Sequence, residues 1–230
     1  MNVISRIIDS CRVCGFKKLM PILSLGDLYI SDFLEESEMN EAEKAPLDLV
    51  LCNEDDGGCG LLQLKHTVSN EVMYRRYWYF SGTNKTMADE LIGIASKVES
   101  LIDLKDGDYV MDIGVNDGTL LRGYKTIGLN CTGFEPARNL EKFNSVGTKK
   151  IINNFFNYED WRKEFGDIRA KGITAIAMFY DLDDPNKFVS DIVRCLDKEG
   201  IFIIQMAYLP SMLLKNMFDN ICHEHLEYYS

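Results

Sequence analysis

The feature that most constrains the fold is an alternation of short apolar runs with amphipathic segments after residue 108. The apolar runs predict buried strands at Tyr109–Ile113, Cys131–Glu135, Lys149–Ile152, Ile173–Met178 and Ile201–Gln205. The segments between them predict helices at Gly118–Thr126, Arg138–Asn144, Tyr158–Arg169 and Asn186–Leu196. Each crossover helix brings the chain back to the end of the sheet at which the previous strand began. Successive strands then run in the same direction, so such alternation gives a parallel sheet. The sequence therefore predicts an α/β fold, and a further amphipathic helix over Thr86–Leu101 precedes it.

Four of the seven cysteines form two pairs near the N-terminus. Cys11 and Cys14 are separated by two residues, and Cys52 and Cys59 by six. A structural zinc ion takes four ligands in a tetrahedron, and thiolates from two short turns suit it. An odd cysteine count without an export signal argues against a disulfide framework. The pattern favours structural zinc over the two rival interpretations, which are buried free thiols and a redox dithiol.

Composition excludes several classes of protein. With 46% hydrophobic and 27% charged residues the chain is globular rather than disordered. A net charge of -11 and the lack of a basic patch predict no nucleic-acid partner. No run of 18 apolar residues and no secretory signal are present, so we expect no membrane partner and a cytoplasmic location.

The turn after the first predicted strand indicates a nucleoside site. Gly114 lets the backbone approach a ligand, and Asn116 tolerates a left-handed conformation. Glu135 ends the second strand, where an acid can accept both hydroxyls of a ribose. The acids Asp112 and Asp117 flank the turn, and they would repel a pyrophosphate but suit the ammonium and sulfonium of S-adenosylmethionine. A nicotinamide cofactor and an ordinary strand–helix turn without a ligand are the alternatives.

The last residues place two of the three histidines close together. His223, Glu224, His225 and Glu227 lie within five positions. Histidine suits proton transfer near neutral pH, so a general base is one interpretation. A metal site and histidines without a chemical role are the others.

Seven strings in this order resemble the sugar C-methyltransferase family. They are CRVCG at 11–15, LSLGD at 23–27, CGLLQL at 59–64, YWYFSG at 77–82, DIGVNDGTL at 112–120, GFEPA at 133–137 and HEHLEYYS at 223–230. Members of that family methylate a carbon beside a ketone on a nucleotide-linked deoxysugar, with S-adenosylmethionine as the methyl donor. The resemblance implies a Rossmann-like class I methyltransferase sheet and a small N-terminal zinc-binding domain. We expect a zinc-binding domain over 1–66, a helical linker or lid over 67–104 and a methyltransferase domain over 105–230.

The resemblance also implies residue roles. His225 would be the general base, Glu224 would orient or assist it, and Tyr79 would donate to the developing enolate. The cofactor would be held by residues at the strand ends and in the aromatic string: Asp112, Gly114, Asn116, Asp117, Glu135, Asn154, Phe155 and Tyr77. Zinc would be held by Cys11, Cys14, Cys52 and Cys59. The substrate would be a small molecule of the nucleotide-sugar kind, and the sequence leaves the oligomeric state open.

Four departures from the family pattern keep other functions open. Asp181 stands where a histidine is usual, Cys222 stands where a tyrosine is usual, and the second cysteine pair carries an insertion. The chain stops at Ser230, so we expect the family's C-terminal domain to be missing. The alternatives are a cofactor-binding but catalytically degenerate partner or regulatory subunit, methylation of an oxygen or nitrogen atom, and metal-dependent chemistry at His223 and His225.

Overall fold

The protein is described here by a computed structural model covering residues 5–30, 36 and 42–230. The chain forms two compact units. The cysteine unit contains the described residues up to Met73 together with Ala177–Asn186 and Met206–Ser230. The sheet unit contains Tyr74–Ile176 and Lys187–Gln205.

The elements are numbered along the described chain. The strands are β1 (Ser5–Ile7), β2 (Met20–Tyr29), β3 (Lys44–Leu51), β4 (Leu62–Leu64), β5 (His66–Val68), β6 (Tyr109–Ile113), β7 (Asn130–Phe134), β8 (Lys150–Ile152), β9 (Ala170–Ile176), β10 (Leu196–Gln205) and β11 (Glu227–Tyr228). The α-helices are α1 (Asn70–Tyr74), α2 (Lys85–Leu101), α3 (Glu141–Asn144), α4 (Tyr158–Phe165), α5 (Pro185–Cys195) and α6 (Leu209–Lys215). Among these described elements, no helix combines the length and apolar character needed to cross a bilayer.

The sheet unit contains the predicted parallel sheet, in the order β10-β9-β6-β7-β8. Every neighbouring pair in it is parallel, which confirms the fold class. The central strand β6 has the predicted limits and is buried on both faces: Val110 and Met111 have no exposed surface. Each of the five predicted strands is present, so continuous apolar runs were sufficient to find them.

Helix α2 confirms the amphipathic helix predicted before the sheet. The Asn84 side chain caps its first turn by accepting from the backbone N–H groups of Thr86 and Met87. Leu91, Ala95 and Val98 recur at helical spacing and are buried in the sheet unit.

The helix predicted over Gly118–Thr126 is wrong. The structure has only a 3-10 turn over Leu121–Gly123 there. Gly118 has φ +84°, which no α-helix accommodates, and Gly123 has no room for a side chain because a Cβ would lie 3.0 Å from the Cα of Ile92 in α2. Close packing against α2 therefore overrides the helical periodicity of this segment.

The cysteine unit is built from two antiparallel sheets. One has the order β11-β4-β3-β2, and the other pairs β1 with β5. A cluster of buried residues that includes Leu49 of β3, Leu64 of β4 and Met212 of α6 forms its core. The C-terminal strand β11 thus belongs to the unit of the N-terminal cysteines. The domain limits expected from the sequence, after residues 66 and 104, stay predictions beside this division.

Two glycines in the sheet unit should respond oppositely to the same substitution. A Cβ at Gly133 in β7 would clash with Val115 Cγ2 and with the Asp112 carbonyl, whereas a Cβ at Gly93 in α2 meets no atom within 4 Å. Gly133→Ala is expected to lower the free energy of unfolding by about 2 kcal/mol through overpacking. Gly93→Ala is expected to raise it by about 1 kcal/mol through helix propensity. Urea denaturation of both variants measures the two effects, and shifts of the same sign would contradict this packing.

Candidate functional site

The turn after β6 is shaped by a left-handed asparagine. Asn116 has φ +54°, between Gly114 at φ +77° and Gly118 at φ +84°. Asparagine is among the few side chains that adopt this conformation readily, as the sequence predicted. The turn presents the Asn116 backbone N–H to the carboxylate of Glu135, which follows β7 directly. Neighbouring parallel strands therefore bring both predicted residues together at one edge of the sheet.

The Glu135 carboxylate is buried and held by backbone donors. Its Oε2 accepts from the Asn116 N–H at 2.7 Å and its Oε1 from the Ala137 N–H at 2.8 Å. Burial raises its pKa to about 7. An ionised carboxylate has about four acceptor positions, so positions remain for a ribose diol. Glu135 can thus accept hydrogen bonds from the ribose hydroxyls of a nucleoside.

Asp112 is a second buried carboxylate, one strand away. Its Oδ1 accepts from the Thr174 hydroxyl at 2.5 Å, and its side chain lies within the sheet unit. Burial first, and then the charge of nearby Glu135, raise its pKa to about 7. Ionising either acid in this buried place is costly, and a nearby positive charge lowers that cost. The site therefore favours a positively charged ligand. The two carboxylates therefore fit the positively charged S-adenosylmethionine better than a negatively charged pyrophosphate.

Residues 74–83, which we term the aromatic strap, are attached to this turn. The Asn116 side chain donates to the Tyr79 carbonyl at 2.8 Å and accepts from the Ser81 N–H at 2.9 Å. Asp117 accepts from the Gly82 N–H at 2.8 Å. The predicted cofactor residues Asn116 and Asp117 therefore also hold the strap that carries Tyr79, whose own side chain is exposed.

Asn139 is a strap contact that the sequence analysis missed. It donates to the Tyr77 carbonyl at 2.7 Å and accepts from the Tyr77 N–H at 3.0 Å, so one amide imitates a strand partner. A polar residue in the 3-10 turn Arg138–Leu140 after the GFEPA string carried no motif that could have revealed it.

The end of β8 contributes the third part of the site. Asn154 accepts from Arg75 at 3.4 Å and donates to Asp160 at 2.7 Å. The half-buried Phe155 ring has the Arg75 guanidinium 4.7 Å from its centroid and Tyr74 edge-on at 6.5 Å. Phe155 thus contacts two strap residues and is only partly buried, and its contact with adenine stays a prediction.

The four predicted cysteines form a cluster in the cysteine unit. Their sulfur atoms all lie within 4.8 Å of one another, with Cys11 and Cys59 at 3.7 Å and Cys14 and Cys52 at 3.5 Å. Zinc–sulfur bonds of about 2.3 Å make the edge of a tetrahedron about 3.8 Å, so this spacing fits zinc. The insertion between Cys52 and Cys59 forms a 3-10 turn, Glu54–Asp56, which leaves both sulfurs in the cluster.

The two C-terminal histidines have different surroundings in the cysteine unit. His223 is buried and its Nε2 donates to the Ala45 carbonyl at 3.0 Å, as a structural residue would. His225 donates from Nδ1 to the Asn220 carbonyl at 2.8 Å and packs on Tyr180, with ring centroids 4.3 Å apart. In the described part of the chain, the four cysteines are the only group of three or more metal-type ligands, so the metal alternative at His223 and His225 has no ligand cluster.

The predicted residues therefore fall into two groups. The cofactor-site residues and Tyr79 belong to the sheet unit, and His225, Glu224 and the cysteines belong to the cysteine unit. Cys222 lies beside Glu224, and burial raises the pKa of its thiol to about 12.

Comparison with protein families decides the broad class. A family model described as "Putative zinc binding domain" matches residues 11–74, and a methyltransferase domain model matches residues 85–230, more than half of the chain. The chain belongs to the methyltransferase domain family. The predicted enzyme class is thereby confirmed, and so is the coupling of a methyltransferase domain to an N-terminal zinc-binding domain.

Individual relatives agree with this family. The chain is 28% identical over 235 residues to the C-methyltransferase NovU of Streptomyces niveus, in an alignment that covers 100% of this chain and 54% of the relative. The chain thus spans about half the length of that relative. Among solved structures, a complex of the Haloferax volcanii Trm112 methyltransferase activator with a methyltransferase matches with 20% identity and a TM-score of 0.50, covering 65% of this chain and 67% of that one. The plantazolicin methyltransferase BpumL in complex with SAH matches with 13% identity and a TM-score of 0.48, covering 58% and 53%.

S-adenosylmethionine and zinc are the cofactors that this methyltransferase family and the site residues support. Glu135, Asp112 and the turn around Asn116 would hold the first. The four sulfurs would hold the second.

The zinc cluster can be tested with matched cysteine variants. Cys14→Ser removes an exposed ligand, and Cys195→Ser removes a buried thiol of the sheet unit. The first variant is expected to lose its zinc and to unfold at a lower temperature, because metal-binding energy contributes to folding. Elemental analysis and thermal unfolding measure both. Zinc retained in Cys14→Ser, or lost from Cys195→Ser, would refute the assignment.

The buried carboxylates predict a specific pH dependence of stability. The pKa of Asp112 is raised from 3.8 to about 7, so its contribution destabilises the fold above pH 7, and this penalty disappears as the pH falls towards 3.8. Asp112→Asn should therefore unfold at a higher temperature than the parent at pH 8 without cofactor, and the difference should shrink towards pH 5. Thermal unfolding across this pH range measures it.

Asp108, just before β6, provides the control of opposite sign. Its carboxylate binds Lys171 at 2.9 Å, and although burial opposes it, this contact holds its pKa below 3.8. Asp108→Asn is expected to lower stability at pH 8, with the loss disappearing only at acidic pH. If Asp112→Asn is destabilising at pH 8 as well, the electrostatic account of the site is wrong.

Proposed function

We propose that the chain transfers a methyl group from S-adenosylmethionine to a carbon beside a ketone of a nucleotide-linked deoxysugar, with His225 as the general base. The observation that carries this proposal is the hydrogen bond from His225 Nδ1 to the Asn220 carbonyl. A carbonyl only accepts, so Nδ1 carries the proton and Nε2 of the neutral ring keeps its lone pair. This is the tautomer that a general base requires.

The surroundings of His225 favour its neutral form. Burial lowers the pKa of His225 below 6.5, although the Asn220 carbonyl and the Glu224 charge oppose that shift. The imidazole is then uncharged at pH 7 and available to accept a proton. Glu224 would stabilise the positive charge that the ring gains as it does so.

The sheet unit would supply the remaining contributions. S-adenosylmethionine provides an already activated methyl group, so the protein needs mainly to position the reactants and exclude water. Glu135 would bind the ribose diol, and Asp112 would favour the positive charge of the bound cofactor. The Tyr79 hydroxyl on the aromatic strap would donate to the oxygen on which negative charge develops.

The similarity to a C-methyltransferase supports carbon as the acceptor atom. The alignment covers the whole of this chain, and so its range includes positions 223–225. The nucleotide-sugar as substrate is inferred from the resemblance of the seven strings to sugar C-methyltransferases. The departures at Asp181 and Cys222 favour a second candidate, a cofactor-binding subunit without turnover.

His225→Ala tests the general base. The rate of methyl transfer to keto-sugar nucleotides is expected to fall about 100- to 1,000-fold, because general-base catalysis contributes that much. Exchange of the substrate proton beside the ketone with deuterated water, followed by NMR, should be lost as well. Calorimetry should show unchanged affinity for S-adenosylmethionine.

His223→Gln is the matched control, because its amide can still donate to the Ala45 carbonyl, and it should keep most of the rate. Full activity of His225→Ala would refute the base assignment. Tight cofactor binding by the parent chain, without turnover or proton exchange on any keto-sugar nucleotide, would instead favour the subunit without turnover.

A further inference from the structure

We propose that Arg12, which lies between two zinc ligands, is a positioning residue for His225. It holds the loop Ala177–Asn186 against the segment between Cys11 and Cys14, which we term the cysteine pair. Tyr180 of that loop in turn packs on the His225 imidazole. The zinc site would thereby maintain the geometry of the base as well as the fold of the N-terminal segment. This inference rests on the proposed role of His225, and all residues involved belong to the cysteine unit.

Arg12 is fixed by several contacts despite its charge. Its side chain is 2% exposed. One terminal nitrogen donates to the Leu64 carbonyl at 2.6 Å and to Gln63 Oε1 at 3.3 Å, and the other donates to the Thr67 hydroxyl at 2.7 Å. Burying a guanidinium is costly unless its N–H donors are satisfied in a fixed geometry. Because the guanidinium is planar and its donors point in fixed directions, Arg12 holds its partners in one arrangement.

The same guanidinium reaches the loop through Asp183. Arg12 Nε lies 3.4 Å from Asp183 Oδ1, and the Thr67 hydroxyl donates to that oxygen at 2.9 Å. Arg6 forms an ion pair with the other carboxylate oxygen. The Asn186 amide donates to the Val13 carbonyl at 2.7 Å, between the zinc ligands. The loop is therefore attached to the cysteine pair at both Asp183 and Asn186.

The loop contacts the histidine segment through two aromatic rings. Tyr180 packs edge-on against His225, and Phe179 lies 5.5 Å from Tyr229, measured between ring centroids. Displacement of the loop would remove the ring that buries His225. Glu224 acts electrostatically on both His225 and Cys222, and Asp181 acts on Cys222. Tyr228 donates to the same Asn220 carbonyl as His225, and Glu227, Cys11 and Arg12 act on Tyr229.

A second connection runs through the four-stranded sheet of the cysteine unit. Gln63, which accepts from both the Arg12 backbone and its side chain, lies directly opposite Glu227 in the pairing of β4 with β11. Glu227 is fully buried and accepts from the Tyr229 hydroxyl at 2.7 Å. Arg12 is thus connected on both sides to the segment that follows His225.

The experiment measures His225 directly, independently of turnover. The chain has three histidines, so imidazole NMR of the zinc-loaded protein should give three resolved signals, with His223, which is bound to the Ala45 carbonyl, as the internal reference. Arg12→Met and Asp183→Asn should shift the His225 signal and reduce its Nδ1-protonated tautomer, while the His223 signal stays in place. The kcat should fall about 10- to 100-fold, as expected for a displaced catalytic group, with an unchanged KM for S-adenosylmethionine.

Lys18→Met is the matched control, because it removes an exposed ion pair with Asp56 in the same unit. It should leave all three signals and the kcat unchanged. Arg12→Lys keeps the charge but not the fork, and it should shift His225 less than Arg12→Met. Should Arg12→Met lose zinc or unfold, Asp183→Asn decides the question, because it leaves the cysteine pair intact.

An unchanged His225 signal in zinc-loaded Asp183→Asn would overturn the proposal. So would equal shifts of all three histidines, which indicate general loosening. A shifted His225 signal combined with full activity of His225→Ala would leave the positioning role in place and refute only the base assignment.

Discussion

Two buried carboxylates on neighbouring parallel strands are the constraint on which the cofactor site depends. Asp112 and Glu135 are each removed from water, and their neutral partners are a hydroxyl and backbone N–H groups. Such an arrangement raises both pKa values to about 7, so it costs stability until a positive ligand compensates. A site that is unfavourable when empty discriminates by charge, which explains why a cationic nucleoside suits it and a pyrophosphate does not.

Two neutral amides and the carboxylate of Asp117 attach the aromatic strap to the turns after β6 and β7. Asn116 and Asn139 bind strap backbone groups through both ends of their side chains. The strap also places the Arg75 guanidinium over the Phe155 ring, the ring that is expected to contact adenine.

The sequence predicted correctly those features for which a single residue type meets a single physical requirement, such as apolar residues in a buried strand or cysteines around a metal. Five apolar runs revealed the parallel strands, and sulfur spacing revealed the cluster of Cys11, Cys14, Cys52 and Cys59. The helix predicted over Gly118–Thr126 was wrong, because hydrophobic periodicity carries no information about the close contact between Gly123 and α2. The sequence could not reveal Asn139 or Arg12 either, because both act on backbone groups distant in sequence, and such pairings have no local pattern.

The return of distant segments to the cysteine unit gives the zinc cluster a wider significance. Residues 177–186 and 206–230 follow strands of the parallel sheet yet pack with the N-terminal cysteines. Closing such loops costs conformational entropy, and a metal with four thiolates fixes the N-terminal segment onto which they close. Arg12 connects the zinc-binding segment to Asp183 through a charge pair in which the arginine is buried and the carboxylate is partly exposed. The value of such a pair lies in its single geometry more than in its net energy. The cysteine cluster and His225, the proposed base, belong to the same compact unit, so one structural element would serve both stability and catalytic precision.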